Sequence, residues 1–430
     1  MHIAQREWCK FMQFLLTTLG CKVNQYESAG LSAQLTSLGF AAVSEIPLAD
    51  VFIVNSCTVT ENSDKKTRRL LSSAKQKNPH IITVLTGCFP QAFPEQARKL
   101  GADITCGTAQ RAELPALIAD FIKSRTAIEN IAVLPEAYED FSGFNPNSSR
   151  TRAFIKIQDG CDCNCAYCIV PKARGNPRSR PLDSVRAEAE AAAKAGFKEV
   201  VLTGINLTKY ENGLSRAVSA VAEFSEIHRV RLSSVEPDLL TDEVLGSLAS
   251  EKKLCPHFHL SLQSGSDSVL KRMNRRYTAE EYYEKVQNIC SLFGENVALT
   301  TDIIVGFPGE TEEEFLESLD FARKINFAKI HVFPFSARSG TSAAIMENQV
   351  PESVKRERRD RLLQAAEEMR SAFLNAQIGK KLSVLIEKEN FGYAENYVPM
   401  KILSKTVQKN EIVGCAVLSA PQGFCEGIIV

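Results

Sequence analysis

The chain has 430 residues, 44% of them hydrophobic, and its 51 basic residues balance its 51 acidic ones. This length predicts two to four domains, and the charge balance excludes a global polycation, so any nucleic-acid surface is a local patch. No run approaches the roughly 18 apolar residues of a membrane span, and the first residues do not resemble a signal peptide. We therefore expect a cytosolic protein without a membrane partner, in which thiols stay reduced.

Residues 1–123 are predicted to form a parallel α/β sandwich, with residues 1–11 as an extension before Met12, the expected natural start. Three apolar runs, QFLLTTLGC, DVFIVNSC and IITVLTGC, alternate with helical segments and end at Cys21, Cys57 and Cys88. Parallel strands present their carboxyl ends at one edge of a sheet. The three thiols are therefore expected to converge there on one metal centre. Buried structural cysteines are the alternative.

A connector is predicted over residues 124–150, and six strand-like runs with intervening helices follow up to residue 350. Six βα units predict a partial (β/α)6 barrel whose active site lies at the carboxyl ends of the strands. The loop GCDCNCAYC directly follows the first of these strands. A disulfide staple, a zinc site and an iron–sulfur cluster are the three explanations for so many thiols. A structural zinc site normally has four protein ligands, and no second C-x2-C pair follows here.

The end of the chain has a different pattern. Residues 351–378 predict one long helix that begins at Pro351, and four short strands separated by turns follow over residues 379–430. This pattern predicts a small antiparallel β-barrel, an architecture that often binds nucleic acid through basic and aromatic residues.

The C-x3-C-x2-C spacing of Cys161, Cys165 and Cys168 on a βα loop resembles the radical S-adenosylmethionine superfamily. The resemblance implies that these thiolates hold a cluster whose open iron binds S-adenosylmethionine, and that Cys163 is not a ligand. Further residues resemble the superfamily's cofactor-binding stretches, although each also fits an ordinary capped turn. They are Tyr167, Gly204, Ser234, Glu236, Gln263 and Asp302.

From Met12 onward the chain resembles the methylthiotransferases. The domain organisation of that family implies five segments in this chain. They are an N-terminal domain over 1–123, a linker over 124–150, a radical S-adenosylmethionine domain over 151–350, a connecting helix over 351–378 and a TRAM-like barrel over 379–430. The resemblance also implies two [4Fe–4S] clusters, the auxiliary one held by Cys21, Cys57 and Cys88 with the sulfur to be transferred on its open iron. Inserting sulfur at an unactivated C–H bond needs a radical, which side chains do not generate unaided.

Within this family, TLGCKVNQYES and NSCTVTENSDKKTRR look like the branch that acts on N6-threonylcarbamoyladenosine next to the tRNA anticodon. The implied product is its 2-methylthio form. One S-adenosylmethionine would donate the methyl group, and a second would give the 5′-deoxyadenosyl radical that activates adenine C2. An electron donor such as a flavodoxin or ferredoxin is implied, and the sulfur source stays open.

Basic residues just after the cysteine loop are expected to contact tRNA phosphates, and Tyr393 to stack on a base; a solvated loop and core packing are the alternatives. The basic residues are Lys172, Arg174, Arg178 and Arg180.

Other functions stay open at this point. Two lie within the family, namely methylthiolation of isopentenyladenosine in tRNA or of a ribosomal-protein aspartate. A radical oxidoreductase with a single cluster would hold about four irons. A non-catalytic RNA-binding protein with structural zinc would be colourless.

Overall fold

The computed structural model describes residues 12–146, 150–404 and 406–430, so the predicted extension over residues 1–11 lies outside the described residues. The first sheet contains β1 (Gln13–Thr18), β2 (Ala41–Ala42), β3 (Val51–Ser56), β4 (Ile82–Gly87), β5 (Ile104–Cys106) and β6 (Ile128–Asn130). Its helices are α1 (Lys22–Ser37), α2 (Glu61–Lys77), α3 (Cys88–Ala92), α4 (Pro94–Arg98) and α5 (Leu114–Ser124).

The strand order in this sheet is β2-β1-β3-β4-β5-β6, and all neighbours are parallel. Both β3 and β4 are buried along their whole length, as expected for parallel strands covered on both faces. The predicted parallel α/β sandwich is thus confirmed. β6 lies inside the segment predicted as a connector and extends the sheet by one strand. The predicted domain boundaries themselves stay a prediction.

The central part contains nine strands and seven helices. The strands are β7 (Arg152–Lys156), β8 (Gln158–Asp159), β9 (Arg178–Ser179), β10 (Glu199–Thr203), β11 (Arg229–Leu232), β12 (Ser234–Val235), β13 (His257–Leu260), β14 (Ala298–Val305) and β15 (Lys329–Pro334). The helices are α6 (Val170–Arg174), α7 (Leu182–Lys194), α8 (Leu214–Ala222), α9 (Asp242–Ala249), α10 (Asp267–Arg272), α11 (Ala279–Phe293) and α12 (Glu312–Ile325).

Two parallel sheets, β11-β10-β7 and β12-β13-β14-β15, make the predicted partial (β/α)6 barrel. The chain passes from one sheet to the other at Ser233, between β11 and β12. The short antiparallel pair β8–β9 flanks the cysteine loop. Local sequence fixes where the last barrel helices begin: Thr278 before α11 and Thr311 before α12 each form a capping box with a glutamate three residues later.

The long helix α13 (Glu352–Asn375) begins directly after Pro351 and leads to a closed five-stranded barrel. Its strands are β16 (Lys381–Lys388), β17 (Phe391–Ala394), β18 (Pro399–Ile402), β19 (Ile412–Ser419) and β20 (Cys425–Ile429). Four of the pairings are antiparallel, as predicted, whereas β18 and β20 are parallel. No helix within the described ranges is long and apolar enough to cross a membrane.

The three parts pack on one another. Ile169 and Ala173, which follow the cysteine loop, belong to the apolar core on one face of the first sheet. At the other side of the barrel, Arg229 and Arg231 of β11 donate hydrogen bonds to backbone carbonyls of the C-terminal barrel, among them those of Tyr393 and Glu395. The first of these contacts packs the first sheet against the segment that follows the cysteine loop, and the second joins the central barrel to the C-terminal barrel.

Candidate active site

The first cysteine group lies at the carboxyl edge of the first sheet. Cys21, Cys57 and Cys88 directly follow or nearly follow the neighbouring strands β1, β3 and β4, as the sequence predicted. The thiols of Cys21 and Cys88 both donate to Oδ1 of Asn24, at 3.7 and 3.9 Å. The amide group of Asn24 is itself held by the carbonyls of Leu19 and Ser56, each at 2.9 Å. One asparagine therefore joins two of the three turns.

Gly20 brings the third thiol into this group. It has a φ of +103°, and a Cβ at this position would lie 2.7 Å from Cβ of Cys57 and 3.0 Å from its Sγ. Any larger residue would push the Cys21 turn away from Cys57. Burial, and after it the neighbouring Cys88, raises the pKa of Cys57 to about 12. Three converging thiols suit a soft metal centre, which displaces their protons on binding.

The second cysteine group lies on the loop between β8 and α6. The loop is fixed by backbone bonds from Cys161 to Gly175 and from Cys168 to Cys165, each 2.9 Å long. Nη1 of Arg275 donates to Sγ of Cys165 at 3.2 Å, and the same guanidinium forms an ion pair with Glu236. The loop thus presents the three thiols of the C-x3-C-x2-C motif at the carboxyl end of the barrel, where the sequence predicted them.

Cys163 lies beside this group. The side-chain amide of Asn206 is 3.7 Å from Sγ of Cys163 and 3.9 Å from Sγ of Cys161. A hydrogen bond from Cys163 is the main cause that lowers the pKa of Cys161 to about 6. Ligand atoms of Cys161, Asp162 and Cys163 lie within 4.8 Å of one another, a spacing that could hold a metal ion.

A cavity of about 180 Å³ lies between the turn that follows Cys57 and the second cysteine loop. On one side it is lined by Val59 and Thr60, which follow Cys57, and on the other by Tyr167 and Cys168. Two further predicted cofactor residues, Gln263 and Asp302, line the same cavity. We call this space the cysteine cavity. It is the place where a small reactant can contact both loops at once.

The remaining predicted cofactor residues have other surroundings. Glu236 is half-buried in its ion pair with Arg275, and burial raises its pKa. Gly204 faces Gln158, where a Cβ would lie 3.1 Å from the glutamine Cβ, so this glycine lets the end of β10 approach β8. Ser234 is half-buried in β12. Their contact with a cofactor stays a prediction.

The structure corrects the prediction for three of the four basic residues. Arg174, Arg178 and Arg180 are only 1%, 7% and 3% exposed. Their guanidinium groups contact protein carboxylates and carbonyls, with Asp159 between Arg174 and Arg178 and Glu188 beside Arg180. They cannot reach an RNA phosphate in this arrangement. Lys172 is exposed and stays a candidate.

Tyr393 is part of an aromatic stack between the two barrels. Its ring lies 5.0 Å from the ring of Tyr397, and Arg152 lies over both rings. Tyr397 in turn lies 4.9 Å from the ring of His257. This arrangement favours the packing alternative for Tyr393, which is half-buried.

A second cavity, of about 420 Å³, is lined by residues of α1, of the central barrel and of the C-terminal barrel. Its lining is rich in cations, and we call it the cationic cavity. Among its lining residues are Lys22, Arg152, Phe154, Arg231, His257 and Tyr397. Burial alone would raise the pKa of Tyr397, yet the charges of Arg152, Lys22 and Arg231 bring it below its ordinary value.

Sequence reasoning missed Asn24, Arg275 and Lys22. Asn24 lies three residues after Cys21, the residue that directly precedes α1, so the first turn of the helix places the two side chains close together, and this signal was available in the sequence. Arg275 is separated from Cys165 by 110 positions, and no local pattern connects them. Lys22 was missed because it lines the cationic cavity, which forms only when the chain is folded.

Comparisons with known proteins agree with this geometry. The profile described as the Radical SAM superfamily matches residues 155–322, and the uncharacterized protein family UPF0004 matches residues 13–107. Threonylcarbamoyladenosine tRNA methylthiotransferase MtaB of Thermotoga maritima is 38% identical over 405 residues, which cover 91% of this chain and 92% of the relative. The protein of that name from Bacillus subtilis is 37% identical and covers 96% and 95%.

A tRNA-2-methylthio-N6-dimethylallyladenosine synthase of Clostridium botulinum is 37% identical over 388 residues, covering 87% of this chain and 86% of the relative. Among solved structures, the radical S-adenosylmethionine methyltransferase TsrM of Kitasatospora setae, with cobalamin and a [4Fe–4S] cluster bound, has a TM-score of 0.58 at 15% identity. The match covers 78% of this chain and 77% of TsrM, and it concerns the fold alone.

Proposed function

This chain belongs to the MtaB-type radical S-adenosylmethionine methylthiotransferases, and we propose that it methylthiolates C2 of N6-threonylcarbamoyladenosine at position 37 of tRNA, next to the anticodon. The resemblance stated from the sequence is thereby confirmed at the level of the family. Membership in a family of enzymes also rules out the non-catalytic zinc alternative. The reaction replaces the C2–H bond of adenine by a C2–S–CH3 group.

The observation that carries the proposal is the cysteine cavity, which lies between the turn after Cys57 and the loop that holds the C-x3-C-x2-C motif. Each of the two cysteine groups offers three cysteine ligands and so leaves one coordination position of a four-iron cluster for another molecule. We assign Cys161, Cys165 and Cys168 to the cluster that binds S-adenosylmethionine, and Cys21, Cys57 and Cys88 to the auxiliary cluster. When bound, these groups supply the electron, the radical, the sulfur and the methyl group.

The chain's own side chains position the reactants. We propose that Tyr167, Gln263 and Asp302 bind S-adenosylmethionine, because they line the cysteine cavity beside Cys168. Val59 and Thr60 close the opposite wall, so an adenine edge inserted between the loops is shielded from water. A base beside the anticodon is in a single-stranded loop and can be turned outward into such a cavity.

We further propose that the reaction takes place in the cytoplasm, and that a flavodoxin-like or ferredoxin-like protein delivers the electron. Lys172, exposed beside the cysteine loop, is the candidate for a phosphate contact.

Mass spectrometry of tRNA nucleosides from a strain lacking this chain tests the proposal. We expect loss of 2-methylthio-threonylcarbamoyladenosine and accumulation of its unmethylthiolated precursor, both reversed by the wild-type chain. Loss of the isopentenyl product instead would move the chain to the other tRNA branch, which the Clostridium botulinum relative represents. Unchanged tRNA would indicate a ribosomal-protein substrate or a radical oxidoreductase.

A further inference from the structure

Among the described residues, the ammonium group of Lys22 in the cationic cavity has no charged or hydrogen-bonding partner. Arg152 forms an ion pair with Glu387 at 2.5 Å, and Arg231 forms one with Glu199 at 2.8 Å. Lys22 also lines the cavity, yet it has no hydrogen bond or ion pair to any residue that the structure describes. A half-buried ammonium without an anion has an unfavourable free energy of solvation, and an anionic ligand relieves it.

The position of Lys22 connects this cation to the reaction. It directly follows Cys21 and is the first residue of α1, so the candidate auxiliary cluster and the ammonium share one turn. Burial, Lys329 and His259 lower the pKa of the His331 imidazole, and the charge of Lys22 contributes to this lowering after them. A ligand atom of His331 lies within 4.8 Å of one of Asp302, which lines the cysteine cavity. Lys22 therefore acts electrostatically on a side chain that lies beside a residue of the cysteine cavity.

The chemistry of the substrate fits this arrangement. In adenine, C2 and C6 are the two carbons bonded to N1, so a base whose C2 faces the cysteine cavity carries its N6 substituent along the same edge. A threonylcarbamoyl group ends in a carboxylate, whereas an isopentenyl group has no charge. A single unpaired lysine can thus distinguish the two substrates by charge.

We propose that the ammonium group of Lys22 binds the carboxylate of the threonylcarbamoyl group and selects this nucleoside over uncharged N6-modified adenosines. The inference rests on the proposed function and deepens it, because it names the residue that reads the substrate's modification. Arg152 and Arg231 keep their protein partners and leave Lys22 as the cation that the substrate neutralises.

The test compares two anticodon stem-loop RNAs, one with the free acid of N6-threonylcarbamoyladenosine and one with its methyl ester. For the reconstituted wild-type enzyme we expect kcat/KM to favour the acid by about 30-fold or more, the size of a lost buried charge pair. In Lys22→Met and Lys22→Gln the preference should fall toward unity, and Lys22→Arg should restore most of it. Lys194→Met, on an exposed surface of α7, serves as the control and should keep the full preference.

Because Lys22 adjoins a candidate cluster ligand, iron content is measured for each variant, and equilibrium binding of both RNAs reports the preference even where turnover is lost. A Lys22→Met enzyme that still prefers the acid as strongly as the wild type would overturn this inference alone. A wild-type enzyme inactive on the acid but active on isopentenyladenosine would overturn the proposed function and this inference with it.

Discussion

Arg174 of the central barrel and Glu27 of the first α/β layer form a two-point ion pair, with Nη1 2.5 Å from Oε1 and Nη2 2.9 Å from Oε2. Both side chains are almost fully buried. The same guanidinium donates to Oδ1 of Asn24 at 2.7 Å, the oxygen that also accepts from the thiols of Cys21 and Cys88. The contact therefore ties the candidate auxiliary site to the barrel that it must face.

Replacement of Glu27 by glutamine is expected to destabilise the fold. Arg111, Lys156 and Arg174 all contact the Glu27 carboxylate, and the loss of one member of a buried charge group costs about 3–5 kcal/mol. Urea unfolding of the metal-free chain measures the change. The control is Glu190→Gln, which removes a solvent-exposed partner of Lys194 and should shift the midpoint little. Equal midpoints for the two variants would contradict the role assigned to Glu27.

The free energy of unfolding should depend on pH through the ionisation of Glu27. Burial alone would raise the pKa of Glu27, but the charges of Arg111, Arg174 and Lys156 outweigh it and hold the pKa at about 2, below the ordinary 4.5. Because the folded-state pKa is lowered, the stabilisation is complete above pH 4.5 and is lost as the pH falls toward 2, by on the order of 3 kcal/mol. Unfolding of wild type and Glu27→Gln at several pH values measures this, and their difference should shrink in that window.

The positions of the six candidate ligands could be predicted from the sequence, because strand ends and motif spacing are local features. Cys21, Cys57 and Cys88 end three apolar runs, and parallel strands bring such ends to one edge whatever the details of packing. The partial barrel followed from six alternating runs for the same reason.

The roles of the basic residues could not be predicted in this way. The segment PKARGNPRSRP predicts that Arg174, Arg178 and Arg180 contact tRNA phosphates, but the folded chain buries them against Asp159 and Glu188. Burial of a charge depends on where its partner lies, and Arg174 and Glu27 are 147 positions apart. The fifth strand of the C-terminal barrel, β17, was missed because its four residues run into the turns on either side.

Replacement of Arg275 by glutamine should make the reduction potential of the barrel cluster more negative. Arg275 donates to Sγ of Cys165, and hydrogen bonds to ligating sulfurs favour the reduced cluster. A tenfold change in the one-electron equilibrium corresponds to about 60 mV, which we take as the expected scale. A potentiometric titration followed by electron paramagnetic resonance measures it. Arg276→Gln removes the same charge from the exposed neighbouring position and should shift the potential less.

Mutations in the two cysteine groups should have different effects, because one group serves cleavage of S-adenosylmethionine and the other serves methylthio transfer. Cys161→Ala should abolish cleavage of S-adenosylmethionine, whereas Cys57→Ala should still release 5′-deoxyadenosine but form no methylthio product. Iron should fall from about eight to about four atoms per chain in each variant. Cys106→Ala is the matched control, because Cys106 is a fully buried cysteine on the neighbouring strand β5 and should keep both clusters. Full transfer by Cys57→Ala would refute the auxiliary assignment.

Cys163 should prove dispensable for the cluster although its thiol adjoins that of Cys161. The motif already supplies three thiolates, and a fourth would occupy the coordination position that S-adenosylmethionine needs. Asn206 and the thiol of Cys163 both surround Cys161 with hydrogen-bond donors, so Cys163→Ala removes one donor and leaves the ligand set intact. We therefore expect Cys163→Ala to keep its iron content and most of its rate of S-adenosylmethionine cleavage, whereas Cys165→Ala loses both. Iron analysis and 5′-deoxyadenosine release measure this, and loss of about four irons from Cys163→Ala would make Cys163 a ligand.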